Sequence, residues 1–198
     1  MPARGDHDAR RRDVSEAVWQ VLAAKGFGGL TLRAVATHMG SSTGLLTHYF
    51  PSKQALVRHA LEIAQQHTAG RERFTSAGEG LPGLRAALLD VMPLTPQSTA
   101  MNRVWISFWD AALSDAELAE VELQRYERWR GMLRPHVDAA IRLGQLAGDP
   151  DDVDPDDIVA TAAGFAHGIV VQAIFDPARF PAQRQIALVD GFIARLQR

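Results

Sequence analysis

Apolar residues recur at helical spacing along almost the whole chain, and no run alternates with the two-residue period of a half-buried strand. Val14, Val18, Val21 and Leu22 follow at intervals of four, three and one, predicting a first helix from about Asp8 that Gly26 stops. Thr31 is placed to cap a second helix whose apolar face holds Val35, Ala36 and Met39. Ala36 is small enough to let another helix cross close to its backbone. Gly40 follows four residues later, where a left-handed conformation ends a helix sharply. Ser41 or Ser42 then caps a third short helix with Leu46 and Tyr49 at its inner positions. Pro51-Ser52 breaks the chain again, and one longer helix is predicted from Lys53 to about Thr75.

Gly78, Gly80, Pro82 and Gly83 mark the break that follows, with the long helix as a mechanical link across it. Helices are predicted next over about Leu84–Met92, ended by Pro93 and Pro96, and over about Ser98–Leu113. Ser114 and Glu117 have the spacing of a capping box and open a long helix to about Leu146, which Pro135 should kink or split. The run Gly148–Asp157 holds six aspartates and two prolines and reads as a solvated connection. Within it, Asp154-Pro155-x-Asp157 supplies a cap, a first-turn proline and an acid for the dipole of a helix over Ile158–Phe175. Pro177–Pro181 leads to a last helix ending near Leu196. The expected fold class is all-α.

Residues 31–56 carry the clearest chemistry. A small residue, a glycine four later and a branched aliphatic six beyond that (Ala36, Gly40, Leu46) is the spacing of a DNA-reading helix-turn-helix. Thr43, Leu45, Thr47 and His48 then fall on the outward side of the second of these helices, without the Glu/Lys mixture of a merely solvated face. From Asp13 to about His59 the chain also resembles the N-terminal domain of the tetracycline-repressor-like (TetR) family. The resemblance rests on Gly26-Phe27 before Leu30-Thr31, on Val35-Ala36 and Gly40, and on Ser42-x-Gly44-x-Leu46. Its most specific part is His48-Tyr49-Phe50-Pro51-Ser52-Lys53-x-x-Leu56. Ser41 departs from the family, which usually has an apolar residue there, and should loosen the turn slightly.

The resemblance implies a helix-turn-helix DNA-binding domain over residues 1–60 and a helical effector-binding and dimerisation domain over 61–198. It further implies a homodimer that inserts Ser42–Tyr49 helices into successive major grooves of a palindromic double-stranded operator and is released by a small molecule. Thr43 and Thr47 are the expected base-edge contacts, and Leu45 meets a thymine methyl. Thr31, Ser42, His48, Tyr49 and Lys53 complete the expected DNA-binding set, with Thr31, His48, Tyr49 and Lys53 on phosphates.

The net charge of −2 hides an asymmetry that supports a polyanion partner at one end. Residues 1–60 carry eight bases against four acids, a net of +4, so the remainder carries −6. Arg10, Arg11 and Arg12 are either an arm that follows the DNA backbone or minor groove, or a solubilising tail. The chain has no cysteine, which excludes disulfides, thiolate zinc sites and thiol catalysis and fits a reducing, cytoplasmic location. Residues 1–13 are charged, without the apolar core of a secretory leader.

The run 158–175 approaches the length of a membrane span. It contains Thr161, His167, Gln172 and two glycines, with aspartates at both ends and no basic anchors, so no membrane insertion is expected. A helix apolar all round must instead be covered twice. Together with the stripe Ile186, Val189, Phe192, Ile193 and Leu196, it should pack against a second copy as a four-helix bundle, as TetR-like regulators do. Ile169, Ile186, Val189, Phe192 and Ile193 are the expected interface.

Aromatics concentrate in Met101–Trp109 and return at Tyr126 and Trp129. Trp and Tyr bring polar atoms that need partners, and a cavity lined by them suits a small molecule. Trp105, Phe108, Trp109, Tyr126, Trp129 and Phe165 are the expected ligand site, for an apolar or cationic effector with Asp110 as the accompanying acid. Trp105-x-x-Phe108-Trp109, with Ser42-Thr43-Gly44 and His48-Tyr49-Phe50, most resembles the betaine-pathway (BetI-type) branch, which leans toward a quaternary amine.

No Gly-rich phosphate loop, nucleophile elbow or HExxH motif is present. His59 and Glu62 lack a third ligand at chelating spacing, so no metal or other cofactor is expected. The alternative function is an enzyme or small-molecule carrier that keeps the helix-turn-helix as scaffold.

Overall fold

The computed structural model describes residues 4–69, 78–147 and 154–197, with the backbone alone for residues 4–11. Among these residues the chain forms nine α-helices, and one isolated β-bridge joins Leu146 to Gln197. The chain divides into two compact units. One takes Met1–Arg71 with Arg103–Ala111, the other Glu72–Asn102 with Ala112–Arg198.

The first unit holds α1 (Arg4–Lys25), α2 (Leu32–His38), α3 (Thr43–Tyr49), α4 (Lys53–Ala69) and the central part of α6 (Pro96–Ser114). Val14, Val18, Val21 and Leu22 are buried as their spacing predicts, together with Leu30, Val35, Leu46, Leu56 and Ala60. Helix α1 starts before Asp8, at Arg4. Its first turns are charged, so apolar periodicity, which begins only at Val14, could not report them. Gly26 ends α1 with φ +65°, and a Cβ there would lie 2.6 Å from the Ser107 Cβ. The next amide, of Phe27, donates to Ser107 Oγ at 3.0 Å, and the Phe27 ring packs on Phe108 at 5.0 Å. The Gly-Phe pair thus combines a left-handed turn with a close backbone approach that no side chain permits.

The second unit holds α5 (Leu81–Asp90), the ends of α6, α7 (Ala116–Arg142), α8 (Pro155–Phe175) and α9 (Ala182–Leu196). Two predicted starts move earlier for one reason. Pro82 and Pro96 read as breakers, but each sits in a first turn, where a missing amide costs nothing. Thr95 and Ser98 close a capping box at the start of α6. The cap of α7 is Asp115, not Ser114, which instead closes α6. Asp115 Oδ1 accepts from the amides of both Glu117 (2.9 Å) and Leu118 (3.3 Å), satisfying two orphan donors with one charged acceptor. Pro135 does not split α7, which runs unbroken to Arg142, where Gly144 (φ +62°) follows. Residues 70–75 of the predicted long helix and 148–153 of the acidic connection lie outside the described residues.

Candidate functional site

Two side-chain caps shape the α2–α3 pair. Thr31 Oγ1 accepts from the amide of Ala34 at 3.1 Å, and Ser42 Oγ accepts from that of Leu45 at 3.4 Å. Between them Gly40 takes φ +61°, and the amide of Ser41 returns to the Ala36 carbonyl at 2.9 Å. This closure fixes α3 against α2 and buries Leu46 completely. Thr43, Thr47 and His48 are left exposed, while Leu45 and Tyr49 are half-buried. The Thr47 hydroxyl donates to the Gly44 carbonyl at 2.8 Å, so its lone pairs face outward as acceptors. The His48 and Tyr49 rings meet edge to face at 5.9 Å. Lys53 is exposed at the first position of α4, behind Ser52, whose hydroxyl accepts from the Ala55 amide. Thr31 and Ser42 are also exposed, so all the expected DNA contacts have some solvent access. Of the arginine arm, Arg12 is exposed, and the side chains of Arg10 and Arg11 lie outside the described residues.

The six expected ligand residues divide between the two compact units. Trp105, Phe108 and Trp109 belong to the first unit, where Phe108 is fully buried and Trp105 Nε1 donates to Thr68 Oγ1 at 3.1 Å. Asp110, the expected acid, is exposed. In the second unit Phe165 stacks on Phe192 at 4.4 Å. Tyr126 and Trp129 of α7 converge instead on His167 of α8, at ring separations of 5.1 and 4.8 Å. The buried acid beside them is Glu122, one turn earlier on α7, held by both arms of Arg125. The Arg125 guanidinium also lies 4.9 Å from the centre of the Tyr126 ring. Burial, then the Glu122 carboxylate, raises the Tyr126 pKa.

Burial and then the positive charge of Arg125 push the His167 imidazole down to about 4, so it is neutral at physiological pH. An unfolded chain takes up a proton near pH 6.5 that this site refuses, so stability should fall as pH drops from about 6.5 to 4, by about 3 kcal/mol in all. Urea midpoints of the wild type and His167→Phe at pH 7, 5.5 and 4.5 check this. The two proteins should diverge steadily toward acid, and parallel curves would refute the assignment.

Residues 82–198 match the family described as the BetI-type transcriptional repressor, C-terminal, and residues 15–60 match the tetR family of bacterial regulatory proteins. The chain belongs to the TetR family. It is a DNA-binding transcriptional regulator of the BetI type. It is 26% identical over 186 residues to the HTH-type transcriptional regulator PksA of Bacillus subtilis (strain 168), which covers 93% of this chain and 88% of that one. It is 29% identical over 126 residues to the HTH-type transcriptional regulator BetI of Paraburkholderia phytofirmans, spanning 62% of this chain and 64% of the relative. Its fold matches that of a transcriptional regulator from Saccharomonospora viridis solved in complex with choline. There the TM-score is 0.78 at 18% identity, covering 94% and 96% of the two chains.

In this TetR-family regulator the expected dimer residues are mostly occupied at home. Ile169, Val189, Phe192 and Ile193 are buried within their own chain, and only Ile186 is half-exposed. Their stripe faces the core because it is the larger apolar side of α9. The outward side of α8 carries Ala160, Thr161, Gly164, Gly168 and Phe175, and that of α9 carries Ala187 and Ala194. Small residues give no hydrophobic signal, so apolar periodicity reports the buried side of α9 and is silent on the exposed one. Glu122, Arg125 and His167 are likewise absent from the sequence-derived site. The spacing of Glu122, Arg125, Tyr126 and Trp129 along one stripe of α7 was the available signal.

Proposed function

We propose that this regulator is a homodimeric repressor that binds a palindromic operator and is released by a small organic cation. The exposed Thr43-Thr47-His48 face of α3, braced on a fully buried Leu46 and flanked by Lys53, carries the reading. Residues 1–60 serve as the DNA-binding domain, and 61–198 bind effector and partner copy. Thr43 and Thr47 read base edges, Leu45 meets a thymine methyl, Thr31, His48, Tyr49 and Lys53 hold the backbone, and Ser42 completes the set. A regulator that acts on chromosomal DNA works in the cytoplasm.

The dimer is supported by α8. By length and composition it is the one helix among the described residues able to cross a membrane, yet only 39% of its most apolar window is buried in its own chain. Its open side carries Thr161 and Gln172 beside Gly164 and Gly168, and acids stand at both ends. That surface suits close approach of a second protein helix better than lipid. The effector is supported by Tyr126, Trp129 and neutral His167 around the buried Glu122, an arrangement fit for a cation, and by the choline in the fold neighbour.

A gel shift on the DNA flanking its own gene tests the operator. Thr47→Ala should cost about 1–3 kcal/mol per half-site and relax preference at one base pair. Lys53→Ala should weaken operator and random DNA alike and reduce the salt slope by about one. Equal losses on both DNAs for both variants would reverse this division of roles. For release, titrating choline against tryptophan fluorescence should show weaker binding when operator is saturating, by the factor through which choline weakens the operator. Equal affinity with and without DNA would remove the induction model.

A further inference from the structure

We propose that Arg125 is a tethered cation that occupies the cation subsite of this regulator in the free protein and must be displaced by the ligand. The inference rests on the cationic-effector reading above and adds how the site is guarded. Glu122, Arg125, Tyr126 and Trp129 form one stripe of α7. The Glu122 side chain is only 10% exposed, and a buried carboxylate requires a counter-charge. Arg125 supplies it as a fork, Nε to Oε2 at 2.8 Å and a terminal nitrogen to Oε1 at 2.5 Å.

The same guanidinium sits 4.9 Å from the Tyr126 centroid, inside the roughly 6 Å reach of a cation–π contact. One group therefore makes both contacts that an organic cation would seek here, carboxylate and aromatic face. Trp129 and His167 add further ring surface but no positive charge. A quaternary ammonium has no N–H to share the carboxylate with the fork, and its methyl groups need the ring face the guanidinium covers. The two cations exclude one another. Arg125 keeps 21% of its side chain exposed, which gives it an outlet to solvent once displaced. Observed affinity is then the intrinsic affinity multiplied by the fraction of molecules with the arm withdrawn.

Calorimetric titration of choline and of its uncharged isostere 3,3-dimethylbutan-1-ol tests this on the full-length wild type, Arg125→Lys, Arg125→Gln and Glu122→Gln. Arg125→Lys loses the fork but keeps the charge, so it remains informative should Arg125→Gln melt too low. Choline should bind Arg125→Lys several-fold tighter and Arg125→Gln at least about tenfold tighter than wild type, and Glu122→Gln at least about tenfold weaker. The isostere should gain much less from either arginine substitution, because it has no use for the liberated carboxylate. If wild type binds choline but the Arg125 variants bind it equally or more weakly, Arg125 is not a competitor, and the effector reading stands without it. Unchanged affinity in Glu122→Gln removes the counter-ion and overturns the proposal. If no variant binds choline at millimolar concentration, the cationic-effector reading fails and this inference fails with it.

Discussion

Gly168→Arg should convert the proposed dimer to a folded monomer of 21.6 kDa and reduce operator affinity by more than about 100-fold. A Cβ on Gly168 meets nothing within 4 Å in its own chain, and the same holds for Gly164 one turn earlier. The residue is interior to α8, so replacing glycine by arginine favours the isolated helix by several tenths of a kcal/mol. The monomer therefore has no reason to unfold. In a two-fold dimer packed through this face, each substitution places an unpaired guanidinium at the seam twice over. That costs several kcal/mol, and every 1.4 kcal/mol is a tenfold loss of association. Half-site binding alone cannot recover the affinity of two linked heads. Phe192→Arg would give a different outcome. Phe192 is buried and stacked on Phe165, so that variant should unfold instead of dissociating. Sedimentation and thermal melting of the two variants separate the cases, and a Gly168→Arg protein that still sediments as a dimer would remove the α8 interface.

The helix-turn-helix was legible because its determinants are local. Thr31 and Ser42 cap helices within three residues of themselves, Gly40 takes the left-handed turn, and Leu46 fills the space beneath. Each is a matter of spacing, and spacing is what a sequence displays. The start of α7 was misread for a similarly local reason. Ser114-x-x-Glu117 has capping-box spacing, but Asp115 stands next to it and accepts from two amides.

The aromatic cluster of α7 and α8 was only half legible. Tyr126 and Trp129 stood out as aromatics, but their partner His167 lies about forty residues on, in a helix whose apolarity drew attention to membranes and dimers. Asp110, next to Trp109 in sequence, is exposed, whereas Glu122 is buried. A hydrophobic stripe identifies the most strongly buried side, and in α9 Val189, Phe192 and Ile193 are buried within the chain's own core.

Leu46→Ala should destabilise the head by about 2–5 kcal/mol and abolish operator binding at temperatures where the wild type is active. Leu46 has no exposed surface and is the only fully buried side chain of α3. A helix of seven residues has no stability of its own, so α3 exists only as far as this contact and its caps hold it. Removing three carbons leaves a cavity that α2 cannot collapse into, because its path is fixed by the Thr31 cap and by the Ser41 amide returned to Ala36. Thr47→Ala, one residue on, removes an exposed hydroxyl and should leave stability within about 0.5 kcal/mol. The pair separates folding from reading on the same helix. Urea unfolding followed by circular dichroism should show a lower midpoint for Leu46→Ala alone, and gel shifts should show both variants impaired. A restored operator complex on cooling Leu46→Ala, but not Thr47→Ala, is expected. A Leu46→Ala protein that melts with the wild type and still fails to bind would mean that Leu46 acts at the DNA surface instead of beneath it.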